Sequence, residues 1–391
     1  MPVRTGAGDS AALMPWVELL ATEIGPRRPT SQAERLAAER VRDELDAAGV
    51  HATIEPFQGY STFGMPFGVI FALALAPELL SPRRRALRSL LALGSVAAIT
   101  FEGSLVHTPL SGALSRRRSQ NLVATIEPVA QARRTLALVC HLDSSRSGLF
   151  FHPRFVAQLN RSLLAQTAAA LFQGAEPVLS GSRLGRRALG AARLLLAVGA
   201  ALLIEREVRG EDVPGANDNA SGVAVVAELA RQLAANRPEG TRVVVLMTGC
   251  EESGLLGMQA FLRGRGTAGW LFLNFDSVGG PATLRYARRE GIARKWDADP
   301  KLVAIARRIA AARPEFGVEA AEGPIGLTYD ASPVLARGGR ALTFVAGDGG
   351  VIPNYHWPTD TAERVDPQAL VRALEIGREM VAAVDRGEAD I

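Results

Sequence analysis

Residues 242–257 read RVVVLMTGCEESGLLG, and this stretch decides the fold. Its first six residues form an apolar run rich in valine, which is typical of a strand buried on both faces of a parallel sheet. Two adjacent carboxylates, Glu251 and Glu252, follow directly, and burying them at a strand end is costly unless a cation or a proton compensates. A solvated pair ahead of a helix is the alternative interpretation of this motif taken alone.

Similar apolar segments recur along the chain and alternate with helical patterns. Strands are predicted at residues 51–57, 121–126, 135–140, 270–275 and 341–346, and helices at residues 10–48 (two helices), 220–235, 254–262 and 300–312. Asp366 and Pro367 open the last helix, because Asp is a good N-cap and Pro suits the first turn. This alternation predicts a three-layer α/β/α fold around a mainly parallel mixed sheet.

Four further polar motifs follow predicted strands or open a predicted helix. They read CHLD at residues 140–143, GANDNASG at 215–222, NFDS at 274–277 and YHWPTDT at 355–361. In open α/β sheets the functional site lies beyond the carboxyl ends of the strands. Taken singly, the first motif also fits a hydrogen-bonded strand-end histidine and the second fits helix caps. Of the five histidines, only His141 and His356 lie in motif-like surroundings.

The motifs together supply a set of metal-binding side chains. The set comprises two imidazoles and three carboxylates: His141, Asp218, Glu252, Asp276 and His356. Such a set suits a pair of divalent metals, most naturally zinc, that share one carboxylate. Glu251 is left over, and a carboxylate beside the metals but not bound to them is suited to act as a general base.

The sequence resembles the co-catalytic zinc aminopeptidases of metallopeptidase family twenty-eight. The motifs that carry the resemblance occur in the same order and read HLD, GANDNASG, EESGLLG, NFD and YHWPTD. The resemblance covers most of residues 10–63 and 119–391, including IGPR at residues 24–27. It implies a zinc-peptidase fold and two zinc ions per chain.

The resemblance also implies a role for each site residue. His141 and Asp276 would hold one metal, Glu252 and His356 the other, and Asp218 both. Glu251 would be the base, and Asp143 would orient His141. A non-proline cis peptide after the bridging aspartate, here Asp218–Asn219, is a further expectation from the family.

The function implied is that of a metallopeptidase, an aminopeptidase that removes N-terminal residues from peptides. Two alternatives stay open: a glutaminyl-cyclase-like acyltransferase and a non-catalytic, receptor-like membrane homologue. The first is associated with a single zinc, and the second typically loses ligands or the base, whereas all six positions are filled here. Carboxypeptidase action also stays open, because related scaffolds perform both reactions.

Apolar runs interrupt the peptidase pattern at residues 67–77, 90–101, 155–174 and 194–204. We expect one peptidase domain with a core of residues 1–63, 106–145 and 207–391. An apolar helical hairpin at 64–105 and a second helical insert at 146–206 would interrupt it. The runs at 67–77, 90–101 and 194–204 fall short of the ~20 apolar residues of a spanning helix, and the run at 155–174 is only moderately apolar. Membrane hairpins are one interpretation and predict a membrane-associated protein; a lid or subunit contact in an otherwise cytoplasmic protein is the other.

The amino-acid composition argues against several other classes of protein. The net charge is +4, yet no basic stripe with interleaved aromatics appears, so a nucleic-acid partner is not expected. Cys140 and Cys250 are the only cysteines, too few for a disulfide framework. Each precedes a site residue, and either they are buried hydrophobes or their sulfurs approach one another. The N-terminal residues lack the pattern of a secretory signal.

Overall fold

The computed structural model describes residues 7–291, 294–321, 327–348 and 351–390. The strands are β1 (Ala52–Gly59), β2 (Arg117–Ile126), β3 (Arg134–His141), β4 (Thr241–Thr248), β5 (Leu271–Phe275), β6 (Leu284–Ala287), β7 (Arg289–Glu290), β8 (Trp296–Asp297), β9 (Val318–Ala321) and β10 (Arg340–Ala346). The helices are α1 (Ala7–Glu18), α2 (Gln32–Ala47), α3 (Gly64–Leu75), α4 (Arg85–Glu102), α5 (Pro109–Leu114), α6 (Leu159–Gly174), α7 (Glu176–Leu179), α8 (Arg183–Arg209), α9 (Ser221–Ala235), α10 (Leu256–Leu262), α11 (Pro300–Ala312), α12 (Ser332–Ala336) and α13 (Pro367–Asp385).

Eight strands form one mixed sheet in the order β1-β2-β4-β3-β5-β10-β6-β9. The four central strands β4, β3, β5 and β10 are mutually parallel. Antiparallel pairing of β2 with β4 and of β6 with β10 turns the sheet mixed at both sides. The carboxyl ends of the four central strands therefore meet at one edge of the sheet.

Alternate residues of the central strands point into two different cores. Leu136 and Leu138 of β3 belong to a large core with residues of α1, α2, α9, α11 and α13, whereas Ala137 and Val139 pack with residues of α10 and α12. This period-two alternation places helices on both faces of the sheet. The predicted α/β fold with a mainly parallel mixed sheet is confirmed.

The two inserts meet in space and form a single helical bundle. Helices α3, α4, α6 and α8 pack on one another around a small core in which alanine predominates. Helix α8 continues to Arg209 and so runs past residue 206, where the second insert was expected to end. Of the helices in the described residues, α8 alone is long and apolar enough to cross a membrane.

Candidate metal centre

The predicted ligands converge at the carboxyl edge of the sheet. His141 is the last residue of β3, Asp276 directly follows β5, and Glu252 lies four residues beyond β4. Asp218 lies in the short turn Ala216–Ala220 that precedes α9, and His356 lies in the loop after β10. All five side chains are buried, as the positions of the motifs predicted.

Asp218 lies between two groups of ligand atoms. One carboxylate oxygen, Oδ1, is 3.2 Å from His141 Nε2, which is itself 3.6 Å from Asp276 Oδ2. The other oxygen, Oδ2, is 3.2 Å from His356 Nε2, which is 3.0 Å from Glu252 Oε2. Each trio holds its ligand atoms within 4.8 Å of one another, and both trios include Asp218. The arrangement is that of two adjacent metal sites with one shared carboxylate.

The spacing of the donor atoms fits zinc. Ligand atoms ~2.0–2.1 Å from a tetrahedral zinc ion lie about 3.3 Å from each other. The four nitrogen-to-oxygen distances across the centre range from 3.0 to 3.6 Å. In addition, Glu252 Oε1 is buried without a hydrogen-bond partner among the described residues, which leaves it available to a cation.

The centre contains several buried carboxyl groups close together, and bound cations would stabilise their charged forms. Desolvation raises the pKa of Asp276 to about 8, and the neighbouring Asp218 carboxylate adds repulsion. Desolvation and the nearby Glu252 and Asp276 likewise raise the pKa of Glu251 well above its ordinary value, although His141 opposes the shift. Bound divalent cations would relieve this excess of buried negative charge.

Asp143 contacts both His141 and the two glutamates. His141 Nδ1 lies 3.0 Å from the backbone oxygen of Asp143, whereas the carboxylate of Asp143 is 3.8 Å away. The carboxylate instead accepts the backbone N–H groups of Glu251 at 3.1 Å and Glu252 at 3.0 Å. The main-chain oxygen of Asp143 thus contacts the imidazole of His141, and its side chain fixes the turn that carries the two glutamates.

Asp360 is a site residue that sequence reasoning missed. Its two carboxylate oxygens accept the backbone N–H groups of Asn217 at 2.7 Å and Asp218 at 3.0 Å. It therefore fixes the bridging aspartate in the way that Asp143 fixes the glutamates. The signal was present, since Asp360 is the acidic residue of the YHWPTD motif, but its partner is 142 residues away in the chain.

The turn around Asp218 is closely constrained. The Asp218–Asn219 peptide bond is cis, as the family resemblance predicted. The Asn219 side chain donates to the backbone oxygen of Phe275 and accepts from the N–H groups of Gly222 and Ser277. A Cβ atom at Gly222 would come within 2.3 Å of Asn219 Oδ1, so this position requires glycine.

Arg27, from the IGPR motif, holds the loops behind the centre together. It is fully buried and donates five hydrogen bonds to backbone oxygens, which belong to Leu20, Gly25, Leu142, Pro214 and Gly215. These oxygens come from the N-terminal segment, the loop after β3 and the loop before α9. The guanidinium therefore joins three segments that are distant in sequence.

Comparison with known proteins relates part of this chain to a peptidase family. A sequence profile of peptidase family M28 matches residues 199–381, which contain four of the five ligands and Glu251. Residues 199–381, a little under half of the chain, are thus similar to peptidase family M28. The five candidate ligands that the motifs predicted form the two adjacent groups described above.

Two curated probable zinc metalloproteases are similar in sequence to a shorter stretch of the chain. A probable zinc metalloprotease of Leptosphaeria maculans is 45% identical over 71 residues, which are 17% of this chain and 16% of the relative. One from Pyrenophora tritici-repentis is 44% identical over 71 residues, 17% of this chain and 14% of the relative. The chain thus spans about a seventh of the length of these curated relatives.

Solved structures share the fold over nearly the whole chain. A zinc aminopeptidase from Bacillus subtilis has a TM-score of 0.58 at 14% identity, covering 96% of this chain and 94% of the other. An aminopeptidase from Aneurinibacillus has a TM-score of 0.56 at 16% identity, covering 96% and 93%. A glutaminyl cyclase from Tannerella forsythia has a TM-score of 0.55 at 15% identity, covering 95% and 98%. At such identities the likeness shows the fold alone.

Proposed function

We propose that this protein is a member of peptidase family M28 and a two-zinc aminopeptidase that hydrolyses the N-terminal peptide bond of peptides. The observation that carries the proposal is the pair of ligand trios that share Asp218. A cyclase-like acyltransferase with a single zinc would not need the second trio. A receptor-like homologue would not need both a complete ligand set and the uncoordinated Glu251.

His141, Asp218 and Asp276 would hold one zinc, and Asp218, Glu252 and His356 the other. Zinc supplies Lewis acidity, which polarises a carbonyl group and lowers the pKa of water. Glu251 would accept a proton from the attacking water and return it to the leaving amine. The backbone N–H of Glu251 donates to the carboxylate of Asp143, and this hydrogen bond holds the main chain of Glu251 in place before substrate binds.

Tyr329 is a candidate hydrogen-bond donor in this reaction. It is 2% exposed, and its hydroxyl has no partner among the described residues. Burial raises the pKa of its phenol well above the ordinary value, and the nearby Asp276 adds to the shift. The neutral hydroxyl would donate to the oxygen on which negative charge develops. Tyr329→Phe should then lower kcat about 10²–10³-fold at unchanged zinc content.

The glutamate pair provides the decisive experiment for the aminopeptidase proposal. Glu251→Gln should lower kcat on aminoacyl-anilides by ~10²–10⁴ and retain both zinc ions by metal analysis. Glu252→Gln is the matched variant, and it should lose zinc. Blocked peptides should not be cleaved. Reversed results for the two variants would exchange their roles, and full activity with less than one zinc per chain would contradict the proposal.

We also propose that the bundle associates with a membrane and that the two inserts interrupt a single peptidase domain. Seventeen of the nineteen exposed large hydrophobic side chains in the described residues lie in segments 64–105 and 146–209. Only 28% of the most apolar window of α8 is buried, unlike the core helix of a soluble protein. Exposed apolar surface of this extent is typical of an interaction face.

One end of the bundle is basic. It contains two turns, at residues 80–84 and 180–182, and near them ion pairs join Arg88 to Glu176 at 2.7 Å and Arg193 to Glu78 at 2.8 Å. The basic tip comprises six exposed arginines around these turns: Arg83, Arg84, Arg85, Arg183, Arg186 and Arg187. Among the described residues none of the six has an acidic partner within 4.0 Å, so the tip suits anionic lipid headgroups.

Fractionation and lipid binding test the membrane proposal. In a detergent-free lysate the protein should sediment with membranes and resist a high-salt wash; a protein found wholly in the supernatant would contradict the proposal. Changing Arg83, Arg84 and Arg85 together to Gln should weaken flotation with vesicles that contain phosphatidylglycerol. The same triple change at the exposed Arg116, Arg117 and Arg118, at the start of β2, is the matched control and should not.

A further inference from the structure

A cavity of about 310 Å³ extends from the metal centre into the bundle. Glu251, Glu252 and His356 line one end of it. Residues of the four bundle helices line the rest, among them Phe67 and Phe71 of α3, Ile99 of α4, Leu163 of α6 and Leu202 of α8. The inserts thus supply walls that the sheet and its helices do not.

The depth of the cavity can be read along α3. Phe63, just before this helix, lies near the metal centre, since its ring is 6.2 Å from that of Phe151, which lies 4.3 Å from His356. Phe71 lines the cavity eight residues further on. At ~1.5 Å per helical residue the cavity reaches about 12 Å into the bundle.

These dimensions exceed what one side chain needs. A cavity of roughly 150 Å³ is enough to hold benzene, and this one is about twice as large. An extended peptide advances ~3.3 Å per residue, so about 12 Å accommodates a run of three residues. The walls are mainly aliphatic and aromatic. Glu102, a charged residue at the wall, already accepts hydrogen bonds from the backbone of Leu110 and the hydroxyl of Ser111.

We propose that the cavity binds an apolar stretch of the peptide substrate, two or three consecutive residues long, and thereby selects hydrophobic peptides for hydrolysis at the metal centre. This inference rests on the proposed peptidase function. Peptides with polar residues at the same positions leave their hydrogen-bonding groups unpaired in the cavity and bind weakly. The bundle is then a selectivity element as well as a membrane contact.

Two peptides with the same N-terminal residue test the selection. The value of kcat/KM for alanyl-trileucine should exceed that for alanyl-triserine at least tenfold, measured in one detergent. Leu202→Trp, which fills the cavity, should reduce the ratio below threefold, chiefly by lowering kcat/KM for alanyl-trileucine. Ile204→Trp, on the same helix but 62% exposed, is the matched control and should keep the ratio. If Leu202→Trp does not fold, Thr167→Phe fills the same cavity from α6.

Binding without turnover separates this inference from the proposed activity. N-acetyl-trileucine amide has no free N-terminus to cleave, and calorimetry should detect its binding with a negative heat-capacity change in the unaltered protein but not in Leu202→Trp. Equal kcat/KM for the two peptides would overturn the selection while the peptidase function stands. Binding of the amide without hydrolysis of any peptide would overturn the function and leave the cavity assignment intact.

Discussion

Replacing Asp143 by Asn tests whether this carboxylate builds the catalytic turn. Each of its oxygens accepts one backbone N–H group, from Glu251 at 3.1 Å and from Glu252 at 3.0 Å, and the side chain is fully buried. Asn has the same shape but only one acceptor oxygen, so its NH₂ group would face the second N–H donor. One charge-assisted hydrogen bond is lost, and such a bond contributes about 1.5–3 kcal/mol.

We therefore expect Asp143→Asn to lower the free energy of unfolding by about 1.5–3 kcal/mol, measured by urea denaturation of the zinc-loaded protein. The displaced glutamates should also lower zinc affinity and kcat, because about 10–100-fold is typical when an outer partner of a metal ligand is removed. The two losses should appear together, since both arise from one turn.

Asp385 offers a matched control for this variant. Its carboxylate also accepts two backbone N–H groups, from Glu239 at 2.8 Å and Gly240 at 2.9 Å, before the start of β4 and far from its carboxyl end. Asp385→Asn should lose stability but retain zinc affinity and kcat. Asp143→Asn with unchanged stability and unchanged kcat would refute the role assigned to the carboxylate.

Four other changes have defined outcomes. Arg27→Lys should lower the free energy of unfolding by about 2–6 kcal/mol in urea, because three ammonium protons cannot satisfy the five oxygens that Arg27 contacts; a change under about 0.5 kcal/mol would contradict this. Burial raises the pKa of Glu290 to about 7 from 4.5, so the folded state keeps a proton that the unfolded state loses between these values. Glu290 should therefore contribute a fall in stability of up to about 3 kcal/mol as pH rises from 4.5 to 7, and Glu290→Gln should make the denaturation profile less steep by that amount; a parallel pH profile of the variant would refute it. Chelation of zinc should lower the melting temperature reversibly, because cations bound at 1,000 times their Kd stabilise by about 4 kcal/mol; an identical melting curve after chelation would argue against metal sites. Thiol titration of the unreduced, denatured protein should find two free thiols, since Cys140 and Cys250 are buried and unpaired, and a value near zero would show a bridge.

The pattern of the amino-acid sequence by itself predicted the sheet and the candidate ligands. The sequences of β3, β4 and β10 are apolar because helices pack on both faces of a central strand. Hydrophobicity alone was therefore enough to predict these strands. The candidate ligands are also local to their motifs, since four of the five lie at a strand end, within four residues beyond one, or just ahead of a helix. Both features depend on residues that are close together in the sequence, so they can be recognised without knowing the tertiary structure.

Only the tertiary structure decided which polar groups meet and what the inserts enclose. Asp360 accepts a hydrogen bond from the backbone of Asp218, which is 142 residues away in the chain. The carboxylate oxygens of Asp143 accept the backbone N–H groups of Glu251 and Glu252, in the turn after β4, although the imidazole of His141 is only two residues away in sequence. Apolar composition predicted helices in both inserts but not that they pack together, because small side chains such as Ala169 and Ala192 specify close approach without specifying a partner. The cavity between the bundle and the metal centre is a property of that packing, so no single segment of sequence contains it.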